Sequence, residues 1–253
     1  MVVRIWLTGS LSFEIRDVLV ESSRFPGRQG RIAFAYLVCE HERPVTRGEL
    51  IELLWPELPP RAYDVALSAV MSKLRALMSS AGLGRPALKT VASGYRLNLP
   101  AAAWIDVDAA AEAVHEAEAA LRAGRHEEAY GPAVVACAIL RHSFLLGEDG
   151  AWIEDRRRRL LVLRLRALDC LADIHSWNRE PTLALHAAEE AVELEPYRES
   201  SYRTLMRIHD RAGNRAEAMR VYGRLERLLA RELGTRPAAE TDALMHELAA
   251  GTR

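Results

Sequence analysis

Cysteine and long apolar runs are scarce in this chain of 253 residues, and each scarcity excludes a class of protein. The three cysteines, Cys39, Cys137 and Cys170, lie far apart in apolar helical stretches, so we expect reduced core thiols rather than a disulfide framework. No run of about 18 apolar residues occurs, and no charged and then apolar leader opens the chain. We therefore expect a soluble, cytoplasmic protein without a membrane partner.

Catalytic and metal-binding motifs are also missing. His115, His126 and His246 each precede a glutamate, but none has the second histidine four residues later that a zinc-binding helix needs. The cysteines lack C-x-x-C spacing, and neither a G-x-S-x-G motif nor a G-x-x-x-x-G-K-[ST] phosphate loop is present. The sequence therefore predicts no enzyme, no metal site, no cofactor and no nucleotide switch.

Net charge is close to zero, at −1, but the two halves of the chain differ. Residues 1–100 hold 13 basic and 9 acidic side chains, a net charge of +4, and the remainder holds 21 basic and 26 acidic side chains, a net charge of −5. A basic front and an acidic back are typical of a DNA-binding domain joined to a protein-contacting domain.

The first hundred residues alternate between short strands and helices. Thr46 and Glu49 have the spacing of a capping box, and Ser93 and Gly94 mark a turn between two alternating segments. This order predicts a winged helix-turn-helix domain over residues 1–100, with a domain joint at Pro100 and the alanines after it. The predicted strands span 2–5, 12–20, 88–91 and 95–99, and the predicted helices span 28–39, 46–55 and 61–82.

The rest of the chain, residues 101–253, is predicted to be almost entirely helical. The segment 200–232 resembles a tetratricopeptide-type helix pair, with a small-residue turn followed by Ala218 and Tyr222. The fold class is thus mainly α with a small β part: a winged helix followed by an all-α, tetratricopeptide-like domain. The predicted helices span 106–123, 125–142, 150–176, 181–194, 198–212, 214–233 and 237–250.

The third helix of the winged domain is divided lengthwise into an apolar and a polar arc. At about 100° per residue, the apolar side chains cover roughly a third of the circumference. The polar arc carries serines and two cations, and no acid occurs between Ser68 and Ser79. Such a face is suited to a DNA major groove, since phosphates would repel acids there. The apolar arc comprises Leu67, Val70, Met71, Leu74, Leu77 and Met78.

Several candidate DNA contacts follow from this face. Arg75 and Lys73 are the first choices, because arginine can bind guanine through two hydrogen bonds. Ser68 and Ser72 are candidates for bases or phosphates, and Ala69 for a thymine methyl group. The alternative is that all five are solvated surface residues.

Helix starts supply further candidates, because free backbone amides there can hold a phosphate. Thr46 and Arg47 start the second helix, and Arg61 and Tyr63 lie near the start of the third. The capping box explains Thr46 without DNA, and a loop anchor explains Arg61 and Tyr63.

Short motifs occur in a recognisable order along the chain. In the first half they are GRQGR at 27–31, LWP at 54–56, PP at 59–60, MSKLR at 71–75 and GYRL at 94–97. In the second half they include FLLG at 144–147, YRES at 197–200, LMR at 205–207, AGNRAEA at 212–218 and ELG at 232–234. The first set resembles an OmpR/PhoB-type winged helix and the second resembles the bacterial transcriptional activator domain. Together they resemble the antibiotic-regulatory (SARP-type) activators.

The resemblance implies a transcriptional activator, pathway-specific as in secondary metabolism, that binds direct-repeat promoter DNA as a dimer. It also implies recruitment of RNA polymerase holoenzyme with its sigma factor. The activation surface would be the loop of Glu57, Leu58, Pro59 and Pro60.

The hairpin tip departs from the family pattern. Winged helices of this type often carry an arginine there, whereas this chain has Ala92, Ser93 and Gly94. Either the minor-groove contact of the wing is weak, or it falls to Lys89 or Arg96 on the strands, with Ser93 at the tip as a further candidate.

Two other functions remain open at this level. The acidic helical half also suits a protein–protein adaptor whose winged helix does not bind DNA. A repressor on the same scaffold has the same sequence features.

Overall fold

A computed structural model describes residues 2–57, 60–84 and 87–251. The chain forms two compact units. The first unit comprises the residues up to Ala109 together with His142–Leu160, and the second comprises Ala110–Arg141 and the residues from Leu161 onward. The compact units therefore do not follow a single cut in the chain. The functional division at residue 100 stays a prediction.

The first unit begins with a four-stranded sheet of order β3-β2-β1-β7. Strand β1 is antiparallel to β2 and parallel to β7. The inward side chains, including Val3, Ile5, Phe13 and Ile15, are buried in the core of the unit. The strands are β1 (Val3–Trp6), β2 (Ser12–Ile15), β3 (Val18–Glu21) and β7 (Ala103–Ile105).

One sequence prediction is wrong in this sheet. The single strand expected at 12–20 is a hairpin, because Arg16 and Asp17 take positive φ angles of 49° and 68° and reverse the chain. Neither residue is glycine or asparagine, so the usual hairpin signal was missing. Of the alanines after Pro100, Ala103 lies in β7, where it pairs with Val3 of β1.

The winged helix follows the predicted order. Thr46 caps the start of the second helix: its hydroxyl accepts a hydrogen bond from the Glu49 amide, while the Glu49 side chain accepts one from the Thr46 amide. This capping box confirms the sequence prediction. The helices are α1 (Gly27–Cys39), α2 (Arg47–Leu54) and α3 (Tyr63–Ser80), and the small sheet of order β4-β6-β5 contains β4 (Val45–Thr46), β5 (Leu88–Val91) and β6 (Gly94–Leu97).

Gly94 is required by the close approach of β6 to β4. A Cβ atom built on Gly94 would lie 2.1 Å from the Val45 carbonyl oxygen and 2.8 Å from the Thr46 Cα atom. Both neighbours are backbone atoms, which cannot move aside as the end of a flexible side chain can. The absence of a side chain at Gly94 therefore lets the wing lie against the start of α2.

The segment His142–Leu160 completes the first unit. Phe144, Leu145 and Ile153 are buried in its core. The Arg157 guanidinium donates hydrogen bonds to the carbonyl oxygens of Phe144, Leu145 and Glu148 at 2.8–3.1 Å. Arg157 thus fixes this segment.

The second unit is helical, and two of its helices begin within the first unit. The seven predicted helices are present, with ends that differ from the prediction by at most about two residues, which is the usual uncertainty of helix ends. No helix in the described part of the chain is long and apolar enough to cross a membrane. The helices are α4 (Asp106–Arg122), α5 (His126–Leu140), α6 (Ala151–Trp177), α7 (Pro181–Leu194), α8 (Glu199–Arg211), α9 (Arg215–Leu233) and α10 (Ala239–Ala250).

The three cysteines are free thiols in apolar surroundings. Burial raises the pKa of Cys39, Cys137 and Cys170 to about 12 in each case. Since the thiolate is the reactive form, these side chains are unreactive core residues at neutral pH.

Candidate nucleic-acid interface

Small side chains cover the outward face of α3. The apolar arc faces the core: Leu67, Met71, Leu74 and Met78 are buried, as the periodicity predicts. This packing turns the opposite face toward solvent, where most of the side chains are short. The exposed residues of this strip are Val65, Ser68, Ala69, Ser72, Lys73 and Ala76.

Val65 is a member of this face that sequence reasoning missed. Its side chain is 70% exposed, the highest value among the large apolar side chains of the described residues. It lies one helical turn before Ser68 and Ala69 on the same side of α3. The signal available in the sequence was its helical position, which falls on the polar arc although valine is apolar.

The chain contains only two lysines, and both lie on the winged helix. Lys73 is exposed on α3, and Lys89 is exposed on β5. Within the described part of the chain, neither ammonium group makes a hydrogen bond or an ion pair. Both are therefore available to an anionic partner.

The Arg75 side chain is bound to the protein, whereas those of the two lysines are not bound to any described residue. Its side chain is half-buried, and its guanidinium binds the wing: Nε donates to the Leu88 carbonyl oxygen at 2.9 Å and Nη2 to Thr90 Oγ1 at 2.6 Å. The guanidinium carbon also lies 5.6 Å from the centre of the Tyr95 ring. The structure therefore places Arg75 between α3 and the hairpin, whereas the sequence suggested a free outward cation.

Arg47 binds the same tyrosine from the start of α2. Its Nη1 donates to the Tyr95 hydroxyl at 2.7 Å, and its guanidinium carbon lies 5.6 Å from the ring centre. Its Nη2 donates to Asp64 Oδ1 at 2.8 Å and more weakly to Ser68 Oγ at 3.4 Å. Tyr95 itself is buried. Two arginines and one tyrosine thus connect α2, α3 and the wing.

Glu49 stabilises the start of α2 electrostatically. Two hydrogen bonds lower the pKa of the Glu49 carboxyl to about 2. The bond from the Arg43 guanidinium has the larger effect, and the bond from the Thr46 amide comes second. The Thr46 hydroxyl is occupied by the Glu49 amide. The capping box therefore explains Thr46 fully, and nothing in the geometry of Thr46 requires a ligand.

The outer face of the wing is basic. Lys89 and Arg96 are paired directly across β5 and β6, and both are exposed. Arg96 Nη2 donates to the Glu42 carbonyl oxygen at 3.3 Å, a weak contact that leaves the guanidinium accessible. Ser93 is exposed in the turn between the strands.

The remaining candidates lie around the start of α3. Arg61 and Tyr63 are both exposed, and Tyr63 is the first residue of the helix. In the loop between α2 and α3, Glu57 and Pro60 are exposed. Leu58 and Pro59, the other predicted activation-loop residues, lie outside the described residues.

The described residues contain no group of three or more histidine, cysteine, aspartate or glutamate side chains that could hold a metal ion. The geometry of the winged helix instead offers hydroxyls, methyl groups and ammonium or guanidinium groups. Such groups bind phosphates, base edges and thymine methyl groups.

Comparison with known proteins decides the family. A model described as "Bacterial transcriptional activator domain" matches residues 105–249, more than half of the chain. The chain belongs to this family. The SARP-type resemblance inferred from the motifs is thereby confirmed.

Relatives of this bacterial transcriptional activator domain protein carry regulatory names. The chain is 31% identical over 215 residues to "Regulatory protein AfsR" of Streptomyces coelicolor, and the match covers 83% of this chain and 20% of the relative. It is 29% identical over 223 residues to "Transcriptional regulatory protein EmbR" of Mycobacterium tuberculosis, covering 85% and 55%. The chain thus spans about a fifth of the length of AfsR and about half that of EmbR.

A solved structure confirms the fold class. The structure titled "Mycobacterium tuberculosis EmbR in complex with low affinity phosphopeptide" matches with a TM-score of 0.89 at 26% identity, covering 99% of this chain and 66% of that one. The winged helix and the helical domain of this bacterial transcriptional activator domain protein therefore share the EmbR architecture.

Proposed function

We propose that this protein is a sequence-specific DNA-binding transcriptional activator. It binds direct-repeat promoter sites as a dimer and recruits RNA polymerase holoenzyme, including the sigma factor. The observation that carries this proposal is the exposed face of α3, where Ser68, Ala69, Ser72 and Lys73 stand outward without an intervening acid.

The chemistry of this face favours the major groove. A helix fits into the groove when its outward side chains are short, and serine hydroxyls and alanine methyl groups can then reach base edges. Val65 adds an exposed apolar group next to them, which suits a thymine methyl. The basic pair Lys89 and Arg96 on the wing supplies phosphate contacts beside the groove.

The activation surface is proposed to lie in the loop between α2 and α3. Glu57 and Pro60 are exposed there, and the loop is adjacent in sequence to the groove-reading helix. A partner bound to this loop would therefore lie close to the DNA. The family match and the regulatory names of the relatives support transcription as the process served.

Lysine modification offers a sharp test of DNA binding, because Lys73 and Lys89 are the only lysines. Two samples are treated with an acetylating ester: the free protein, and the protein with saturating duplex DNA from the region upstream of its own gene. Acetylation of each lysine is measured by mass spectrometry. We expect DNA to protect Lys73 strongly, since a groove-bound α3 excludes the reagent. Equal labelling of Lys73 in the free and DNA-bound protein would contradict the proposed reading face.

A matched pair of variants checks the same point by affinity. Lys73→Gln is expected to reduce the slope of log affinity against log salt by about 1, because one phosphate contact is lost. Arg227→Gln, which removes one exposed positive charge from the helical unit, is the control and should leave the slope unchanged. Failure of the wild-type protein to bind duplex DNA at low salt, together with capture of a protein partner, would favour the adaptor.

The sign of regulation is tested by transcription with purified polymerase holoenzyme on the bound promoter. We expect added protein to increase the run-off transcript, because the bound regulator recruits the polymerase. A decrease at the same promoter occupancy would identify a repressor instead.

A further inference from the structure

The ion pair between Arg47 and Asp64 occupies the edge of Arg47 that would bind a phosphate. Both Nε and Nη2 of Arg47 converge on Asp64 Oδ1, at 3.1 Å and 2.8 Å, and Nη2 also approaches the Asp64 carbonyl oxygen at 3.2 Å. This pair of donors is the edge with which arginine grips carboxylates and phosphates. A DNA phosphate can bind there only after Asp64 has left.

Arg47 does not depend on Asp64 for its position. The Tyr95 hydroxyl accepts a hydrogen bond from Nη1 at 2.7 Å, and the Tyr95 ring lies beneath the guanidinium. Because Tyr95 is buried, it is a fixed support. Arg47 therefore remains oriented toward the start of α3 when the Asp64 carboxylate is removed.

Asp64 is the acidic residue of the first turn of α3, and its side chain is 62% exposed. If α3 enters the major groove, this carboxylate approaches the phosphates and repels them. In the folded protein, an acidic side chain at a helix start stabilises the helix modestly, so Asp64 is favourable there in the absence of DNA.

We propose that Asp64 acts as an internal substitute for a DNA phosphate and limits the affinity of the winged helix for any duplex DNA. This inference rests on the proposed DNA-binding function. Two effects have the same sign: breaking the ion pair costs free energy on binding, and the released carboxylate repels the backbone. The opposite role, in which Asp64 orients Arg47 for DNA, is weakened by the independent support from Tyr95.

The test measures fluorescence anisotropy of the full chain on a promoter duplex and on a scrambled duplex of the same length, over a range of salt concentrations. Asp64→Asn is expected to tighten binding to both duplexes by about twofold to fivefold, the equivalent of one exposed ion pair. The slope of log affinity against log salt should become steeper by about 0.9, since the Asp64 carboxylate no longer offsets one cationic charge at the phosphates.

Two further variants separate this effect from a change in net charge. Asp17→Asn removes the same charge from the β2–β3 turn of the same unit, where asparagine tolerates the φ of 68°. It should leave affinity unchanged. In an Arg47→Gln background, Asp64→Asn should give a smaller gain than in the wild type, because no guanidinium edge is released. Circular dichroism checks that all variants are folded.

The outcomes are distinct. An affinity of Asp64→Asn equal to or below that of the wild type would overturn the inference while leaving the proposed function intact, and so would an equal gain in Asp17→Asn. Failure of the wild-type protein to bind either duplex would instead refute the proposed function.

Discussion

Replacement of Asp106 by alanine is expected to destabilise the first unit by about 3–5 kcal/mol. The Asp106 carboxylate is buried and accepts hydrogen bonds from the amides of Leu7, Thr8 and Val107 at 2.8–2.9 Å and from the Thr8 hydroxyl at 2.8 Å. Alanine would leave these donors buried without an acceptor. Burial raises the pKa of the Asp106 carboxyl, and the hydrogen bonds oppose that rise.

Chemical denaturation monitored by tryptophan fluorescence measures the effect. Asp106→Asn keeps one carbonyl oxygen in the same place and should lose less stability than Asp106→Ala. Asp108→Ala, two residues later on α4, is the matched control and should cost much less because Asp108 does not hold these buried amides. A free energy of unfolding for Asp106→Ala within about 1 kcal/mol of the wild type would contradict the structural role, since even one unpaired buried donor costs that much.

Replacement of Arg75 by alanine is expected to weaken DNA binding by about 1–3 kcal/mol, as much as the loss of an arginine that reads a base. The structure shows why the effect should be large. The Arg75 guanidinium holds the Leu88 carbonyl oxygen and Thr90 Oγ1, so its loss frees the wing from α3. Binding isotherms on promoter and scrambled duplexes measure the change.

The distribution of this loss between the two duplexes identifies how Arg75 acts. If Arg75 stays on the wing, affinity for both duplexes should fall alike, and Thr90→Val, which removes one acceptor, should produce a smaller loss of the same kind. A loss confined to the promoter duplex would show that Arg75 leaves the hairpin and reads a base. A folded Arg75→Ala variant with wild-type affinity would refute the proposed interface.

Most of the helical architecture could be predicted from the sequence, because helices carry local signals. The apolar period of α3 predicted its buried side, and the capping box at Thr46 and Glu49 predicted the start of α2. Short connections with Gly124, Gly213 and Gly234 marked helix ends in the second unit, and these glycines take positive φ angles.

The contacts that join distant segments could not be predicted in this way. Strand β7 pairs with β1 about a hundred residues earlier, and a strand of only three residues is too short to show the alternating period that marks a strand. The burial of Phe144 and Leu145 in the first unit likewise depends on packing with residues far away in sequence. Nonlocal contacts of this kind are set by the tertiary structure alone.

The candidate site was predictable in its residue types but not in the direction of its side chains. Lys73, Ser68 and Ser72 face solvent on α3, as the polar arc indicated. The helical wheel placed Arg75 on the same arc, but a long side chain at the edge of an arc can turn toward a neighbouring element. Arg75 contacts the Tyr95 ring and the Leu88 carbonyl oxygen. Both belong to the β5–β6 hairpin, and a helical wheel of α3 gives no information on where that hairpin lies.

The discontinuous make-up of the first unit has a consequence for dissecting the protein. Truncation after residue 100 would remove β7, the Asp106 carboxylate and the buried Phe144, all of which belong to the unit that carries α3. Such a fragment would expose apolar core surface and unpaired amides. Loss of DNA binding after this truncation would therefore reflect misfolding of the first unit. A contribution of the second unit to DNA binding has to be measured by point substitutions in the intact chain.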